Sequence, residues 1–320
     1  MLPADSIEVV IFSFNRGGHL HNCVSSVREF MPDAAVTVFD DGSTDGETCA
    51  VLADLSREGA VNVLVARESS RSSNSKPLLN GGLHENMQRF IDENARCPLA
   101  LLLQDDTQLV RAVTPRDRQD IDQIFTQYPR SAFIYPAFLA NRSACTRGHV
   151  DFGSFREGDP SFSFHYDYEY SGFFDVCIAH VRRLHDARWR FVNELPASLE
   201  ARERFGTMRL MRCPFVAHLP APPTYVFRGK TWVQRIWERY RAGLYPIDPM
   251  SDADVKRLFS LRGDYPTADD FLTSSSFRGA HPWPYTKMER APKPIVLIEK
   301  VEGWVRRRLA SAGRYMMPGV

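Results

Sequence analysis

Two acidic clusters hold the side chains best suited to chemistry in this chain. Asp40-Asp41-Gly42-Ser43-Thr44-Asp45 and Asp105-Asp106 each follow a short apolar run. A carboxylate at a strand end can accept hydrogen bonds from ribose hydroxyls or a nucleobase imide, and Gly42 lets the chain turn tightly beside it. The same residues also spell an ordinary strand-to-helix turn, with Asp45 as the cap of the next helix. The adjacent pair Asp105-Asp106 suits a different task. Hard divalent cations take oxygen ligands, and Mg2+ keeps few carboxylates alongside substrate phosphates. That pair reads either as a seat for a metal-bound diphosphate or as a solvated acidic turn. Zinc-ribbon and thioredoxin-type chemistry is excluded, because the six cysteines (Cys23, Cys49, Cys97, Cys145, Cys177, Cys213) form no CxxC pair.

These residues need elements to hold them. Ile7 to Ser13 is apolar and rich in β-branched residues, the pattern of a buried strand. Leu20, Cys23, Val24, Val27 and Phe30 then recur at helical spacing. Strands are predicted at 35–39, 61–66 and 99–103, with helices after Asp45 (Val51, Leu52 and Leu55 inward) and from Asn80 (Leu83, Met87, Phe90 and Ile91 inward). Alternation of this kind predicts an α/β fold, a parallel sheet flanked by helices, and ligands bind such sheets beyond the carboxyl ends of the strands. Both acidic clusters fall there. Further along, 173–179 and 208–213 read as strands and 196–205 as a helix, while 141–171 is irregular and aromatic.

Ile7–Arg16 (IEVVIFSFNR), Val38–Asp45 (VFDDGSTD), Asn80-Gly81-Gly82 and Leu103-Gln104-Asp105-Asp106 together resemble the large glycosyltransferase family two. The likeness spans residues 1–110 and continues more loosely to residue 220. It implies a GT-A fold, a Rossmann-like and mostly parallel sheet, and transfer of a sugar from a nucleotide donor with inversion at the anomeric carbon. Ser13, Asn15 and Arg16 would then line the nucleotide pocket with Asn80, and Asp40 and Asp41 would meet uracil and ribose. Asp105 would touch sugar or ribose, and Asp106 would hold Mn2+ or Mg2+ as the last acid of the DxD motif, with His218 as a further ligand. Lys76 and Arg71 would meet the diphosphate. The general base is expected in a Glu-Asp pair ahead of a glycine; Glu194 lies 12 residues before Gly206, with Leu195 in the second place, and Glu200 is the second candidate. Gln104 stands where the motif's first acid is usual. These two departures motivate one rival reading, a degenerate nucleotide-sugar-binding protein. A nucleotidyltransferase is the other, although the Gly-rich, Arg-containing loop it expects after the first strand is missing.

Phe162, Phe164, Tyr166, Tyr168, Tyr170 and Phe174 suit either sugar stacking or core packing, and Asp167 and Glu169 among them could bond acceptor hydroxyls. The organisation expected is a nucleotide-binding half at 1–135, an acceptor-binding half at 136–224, and a helical extension at 225–320. That extension is basic and aromatic. Residues 228–245 hold five basic residues against one acid, and residues 295–320 five against two, with Ile295, Ile298, Val301, Val305 and Leu309 on one helical stripe. Basic residues beside interfacial aromatics suit an anionic membrane surface, hence a lipid-linked or glycan acceptor; packing on the catalytic part or a partner subunit is the alternative. The 320 residues carry 40 Lys and Arg against 39 Asp and Glu, so a global grip on nucleic acid is not expected. With 43% hydrophobic and 25% charged residues the composition is that of a folded globular chain. No signal peptide or spanning segment is read, and a cytoplasmic protein, bordering the inner face of the membrane, is the expectation.

Overall fold

Seven consecutive buried side chains make Ile7–Ser13 (β1) the strand around which everything else is laid. Even Glu8 is buried within it; its carboxylate accepts the N–H groups of Arg96 and Cys97 at 2.7 and 2.9 Å, so no buried charge is left unbonded. The computed structural model describes residues 6–65, 82–139, 149–154, 158–219 and 244–275, together with 294, 297, 298 and 300–305. Lys76, Asn80, Arg71 and Cys145, and most of the basic stretches at 228–245 and 295–320, lie outside those residues.

On one side of β1 runs Val36–Asp40 (β2), followed outward by Asn62–Val65 (β3); on the other runs Leu99–Gln104 (β4), all parallel. Gly17–Phe30 (α1) connects β1 to β2 and buries Leu20, Cys23, Val24 and Val27, the stripe its spacing predicts. Asp45 caps Gly46–Glu58 (α2) by accepting the N–H of Thr48, as read from sequence. Leu83–Arg89 (α3) ends in a π-helical turn, Phe90–Asn94, before β4.

The sheet then continues past β4 through Cys177–His180 (β9), Phe133–Tyr135 (β6), Arg209–Met211 (β10), Ser161–Phe164 (β8) and Val150–Asp151 (β7). Its nine strands are mostly parallel; β9 and β8 run against the rest. The strand at 173–179 is shorter than its apolar residues predict, because 173–176 approach the sheet as a bend. A separate ribbon pairs Thr107–Leu109 (β5) with Val216–His218 (β11). The α/β architecture expected for a GT-A-type fold, a mostly parallel sheet flanked by helices, is present.

Two packing features hold the later elements in place on this sheet. Phe133 meets Phe173, Trp189, Phe191 and Phe205 at centroid distances of 5.0 to 6.5 Å, and this ring cluster fixes the helix Glu194–Phe205 (α6; α5 is Val181–Asp186) against the sheet. Arg111 pairs with Asp117 at 2.7 Å, both almost wholly buried, while Asp117 also closes the capping box of Pro115–Gln127 (α4) with Thr114. Compact units divide the chain into Met1–Leu219 with Pro246–Arg278, and Pro220–Tyr245 with Gly279–Val320. Residues 246–275, with the helices Asp252–Ser260 (α7) and Ala268–Phe271 (α8), belong to the first unit. Tyr265 illustrates why: its hydroxyl donates to the Ala137 carbonyl at 3.0 Å and its ring packs on Phe162.

Candidate active site

The chain reaches β3 by moving one way from β1 and then returns to the other side at β4, so a topological switch point lies between β1 and β4. At that crevice the sequence changes from apolar to charged. Asp105 donates its backbone N–H to the Phe12 carbonyl (3.0 Å), and its carboxylate accepts the N–H of Phe14 (3.1 Å). One guanidinium nitrogen, Nη1 of Arg16, donates to both Asp105 Oδ1 (3.2 Å) and Asp106 Oδ2 (2.7 Å). Burial pushes the Asp105 carboxyl up to about 7 even though Arg16 pulls it down; Asp106 adds a like charge. Ser13 is buried beside this pair.

The first acidic cluster is bound to itself. Asp40 is 1% exposed, and its two oxygens accept the N–H and the hydroxyl of Ser43 at 2.7 and 2.5 Å. Asn15, in the left-handed region at φ 52°, donates its backbone N–H to Ser43 Oγ and accepts the N–H groups of Thr44 and Asp45 through Oδ1. Asp41 accepts the N–H of Gly82 at 2.6 Å, which ties the loop to the start of α3. The turn reading of DDGSTD thus accounts for both oxygens of Asp40 and for the amide oxygen of Asn15. Around it Asp41, Gly42 and Ser43 are half-buried.

A second constellation gathers across the crevice. Gln104, the last residue of β4, points away from the acid pair and donates Nε2 to Asp175 Oδ2 at 3.3 Å. Asp175 Oδ1 lies 3.2 Å from Nε2 of His84, on α3. Glu194, half-buried at the start of α6, is close enough to feel both: burial first, then Asp175, raise its carboxyl to about 7, and His84 opposes them. Tyr168, pushed up to about 12 by burial and then by Glu194, stacks on His149 at 4.1 Å and borders Tyr170 and Phe174. The aromatic stretch therefore divides. Phe162 and Phe164 are core, 1% exposed, whereas Tyr168, Tyr170 and Phe174 are half-buried beside Glu194. Asp167 and Glu169 are exposed.

Glu200 stands apart from this group, paired with Arg204 at 2.7 Å on the outer part of α6. Asp175 and His84 carry no motif. The one signal of Asp175 is that a lone acid interrupts Phe173-Phe174 and Val176-Cys177-Ile178, an apolar context in which a carboxylate needs partners.

Whether a divalent cation suits the acid pair can be asked of its unused atoms. Oδ1 of Asp106 is buried and has no hydrogen-bond partner among the described residues. His218 faces Thr107 across the β5–β11 ribbon and lies 3.4 Å from the Tyr135 hydroxyl. Burial lowers its imidazole, with Asp106 pulling the other way, so the ring is a neutral nitrogen donor. Among the described residues no group of three His, Cys, Asp or Glu side chains encloses an ion. One oxygen and one nitrogen donor form an open site, of the kind that oxygens of a diphosphate complete. The residues fit.

No family model matches the chain, and no curated protein does. Solved structures similar to it include GalNAc-T7 with UDP, GalNAc and Mn2+, at 12% identity and a TM-score of 0.49, covering 73% of this chain and 48% of that one. Another is the mannosyltransferase PcManGT from Pyrobaculum calidifontis with GDP-Man and Mn2+, at 14% identity and a TM-score of 0.41, covering 72% and 60%. A third is the galactosyltransferase LgtC with donor and acceptor sugar analogues, at 12% and 0.37, covering 72% and 94%. The chain spans about half the length of the first of these. At such identities the assignment of function rests on the site itself.

Proposed function

We propose that this chain is a glycosyltransferase that moves a sugar from a nucleotide-activated donor, a UDP-sugar, to a hydroxyl of a glycan or lipid-linked acceptor with inversion. The observation that carries it is two groups at the end of β4: the acid pair Asp105–Asp106 that follows the strand, and Asp175, bonded to Gln104 at its last position, whose charge acts on the Glu194 carboxyl. A leaving group that departs as a diphosphate needs positive charge on one side, and an attacking hydroxyl needs a base on the other.

In this reading Asp106 and His218 hold Mn2+ or Mg2+, which supplies charge compensation for the departing diphosphate. Asp41 and the Ser43 rim, with Asn80, receive the nucleoside, and Lys76 meets the diphosphate. Tyr168, Tyr170 and Phe174 offer ring faces to the acceptor. Glu194 takes the acceptor's hydroxyl proton on its carboxylate as that oxygen attacks in line, while Asp175, held by His84 and Gln104, raises its basicity. Residues 1–135 then act as the donor half and 136–224 as the acceptor half. Glu200, in its surface ion pair, has no part in proton transfer. Assembly of surface polysaccharide or glycolipid, at the cytoplasmic face of a membrane, is the setting we infer. Leu297, Ile298, Val301, Trp304 and Val305, all exposed on one helical segment, support that setting, and among the described residues no helix is long and apolar enough to cross a bilayer.

Turnover of a panel of nucleotide sugars, with and without Mn2+, tests the reading. Metal-stimulated release of UDP, lost in Glu194→Gln with donor binding retained, is the expected result. Donor binding with no turnover in the wild type would return the chain to a sugar-nucleotide-binding protein.

A further inference from the structure

One nitrogen of Arg16 bridges Asp106, the carboxylate that the proposed function gives to a cation, and its neighbour Asp105. Nη1 lies 3.2 Å from Asp105 Oδ1 and 2.7 Å from Asp106 Oδ2, and the arginine side chain is only 12% exposed. The bridge is built rather than incidental. Asn15, held left-handed by Ser43, Thr44 and Asp45, turns the backbone at the end of β1, so that Arg16 becomes the residue preceding the first turn of α1. Gly17 comes next, and a Cβ there would come within 2.7 Å of the Glu47 and Thr48 backbone, so α2 confines the start of α1 closely. Two buried carboxylates side by side repel each other, and without a positive charge between them one would have to take up a proton.

We propose that Arg16 is the resident counter-cation of the acid pair, compensating in the free protein the charge that a divalent ion beside it compensates when donor binds. This rests on the reading of Asp105–Asp106 as the metal–diphosphate seat. A metal entering alone on the unpartnered Oδ1 of Asp106 sets a second cation beside the guanidinium that holds Oδ2 of the same carboxylate. A metal entering with a diphosphate leaves Arg16 a new anion to pair with. Metal and nucleotide are therefore bound as a unit, and each raises the affinity of the protein for the other by the same factor. The arrangement keeps the charge of the acid pair partly compensated between turnovers and discriminates against free metal.

The test is Mn2+ binding by the full chain, followed by loss of the free-ion electron paramagnetic resonance signal, with and without UDP. In the wild type Mn2+ alone binds weakly and UDP tightens it. Arg16→Met, of similar length and without charge, is expected to tighten binding of Mn2+ alone by about tenfold or more, the effect of removing a like charge from beside the same carboxylate. The benefit that UDP confers shrinks in that variant. Arg16→Lys keeps the charge and retains the weak, UDP-dependent binding. A folded Arg16→Met protein that takes Mn2+ alone no better than wild type, yet still takes it with UDP, overturns the role of Arg16 and leaves the metal seat standing. Absence of Mn2+ binding in every protein, UDP present or not, overturns both. Should Arg16→Met not fold, the wild type still decides: Mn2+ bound as tightly without UDP as with it refutes the proposal.

Discussion

Glu194 is where the chemistry of a single residue is most exposed to measurement. Its carboxyl is raised to about 7, first by burial and then by Asp175. A general base works only when deprotonated, so turnover should climb as pH rises through 7 and fade below it. Asp175→Asn removes the like charge, which lowers the Glu194 carboxyl; the acid limb of the pH–rate profile should shift to lower pH, and an unmoved limb would detach Asp175 from the mechanism. Glu194→Gln should cost about a hundredfold or more in turnover while leaving UDP affinity near wild type, read by single-turnover kinetics and calorimetry. Gln104 gains a meaning here that the motif alone does not offer. Its amide reaches Asp175, so in the proposed reading the residue serves the base side of the crevice instead of adding a third negative charge to the donor side.

Between elements, the decisive contact is that of α6 with the bend before β9. Ser198 Oγ accepts the N–H groups of Gly172 and Phe173 at 3.0 and 3.2 Å, in a fully buried setting, and thereby sets Asp175 on the bend relative to Glu194 on the helix. Ser198→Ala strands two buried donors and should lower stability by about 1–3 kcal/mol for each group left unbonded, measured by urea denaturation. Gly172 has a narrower tolerance. A Cβ at that position would collide with the backbone of Ser198 and Arg202, so Gly172→Ala must push α6 outward, and turnover should fall along with stability. A second element carries a pH signature of its own. His180, at the end of β9, has its imidazole lowered to about 4 by burial and then by Arg183. A depressed histidine favours the fold above its unfolded value of 6.5, and that contribution is lost as pH falls toward 4. His180→Gln should flatten the stability profile across that window.

For the molecule as a whole, the heaviest polar anchor is Arg111, which is buried with Asp117 and also donates to the carbonyls of Pro214, Cys213 and Ala112. It ties the start of α4 to the strand connection before β11, and so supports the ribbon that carries His218. Arg111→Met leaves Asp117 charged and unpaired in the interior, at a cost of about 3–5 kcal/mol, which thermal unfolding should register as a large drop in midpoint. Sequence alone determined the succession of strands and helices from β1 to β4 and the arrival of both acidic clusters at strand ends, since each depends on patterns within a dozen neighbouring residues. It also held the cap at Asp45. Which oxygens were already engaged lay beyond it: DDGSTD reads equally as a ligand site or a turn, and the hydrogen bonds of Asp40 with Ser43 and of Asn15 with Thr44 and Asp45 appear only in three dimensions. The grouping of His84, Gln104, Asp175 and Glu194 was equally hidden. His84 and Asp175 are 91 positions apart and Gln104 and Asp175 are 71, and nothing local marks such pairs. Their meeting depends on β9 entering antiparallel beside β4 and on the Phe133 ring cluster seating α6, choices made by burial of apolar surface across the whole sheet rather than by any short run of residues.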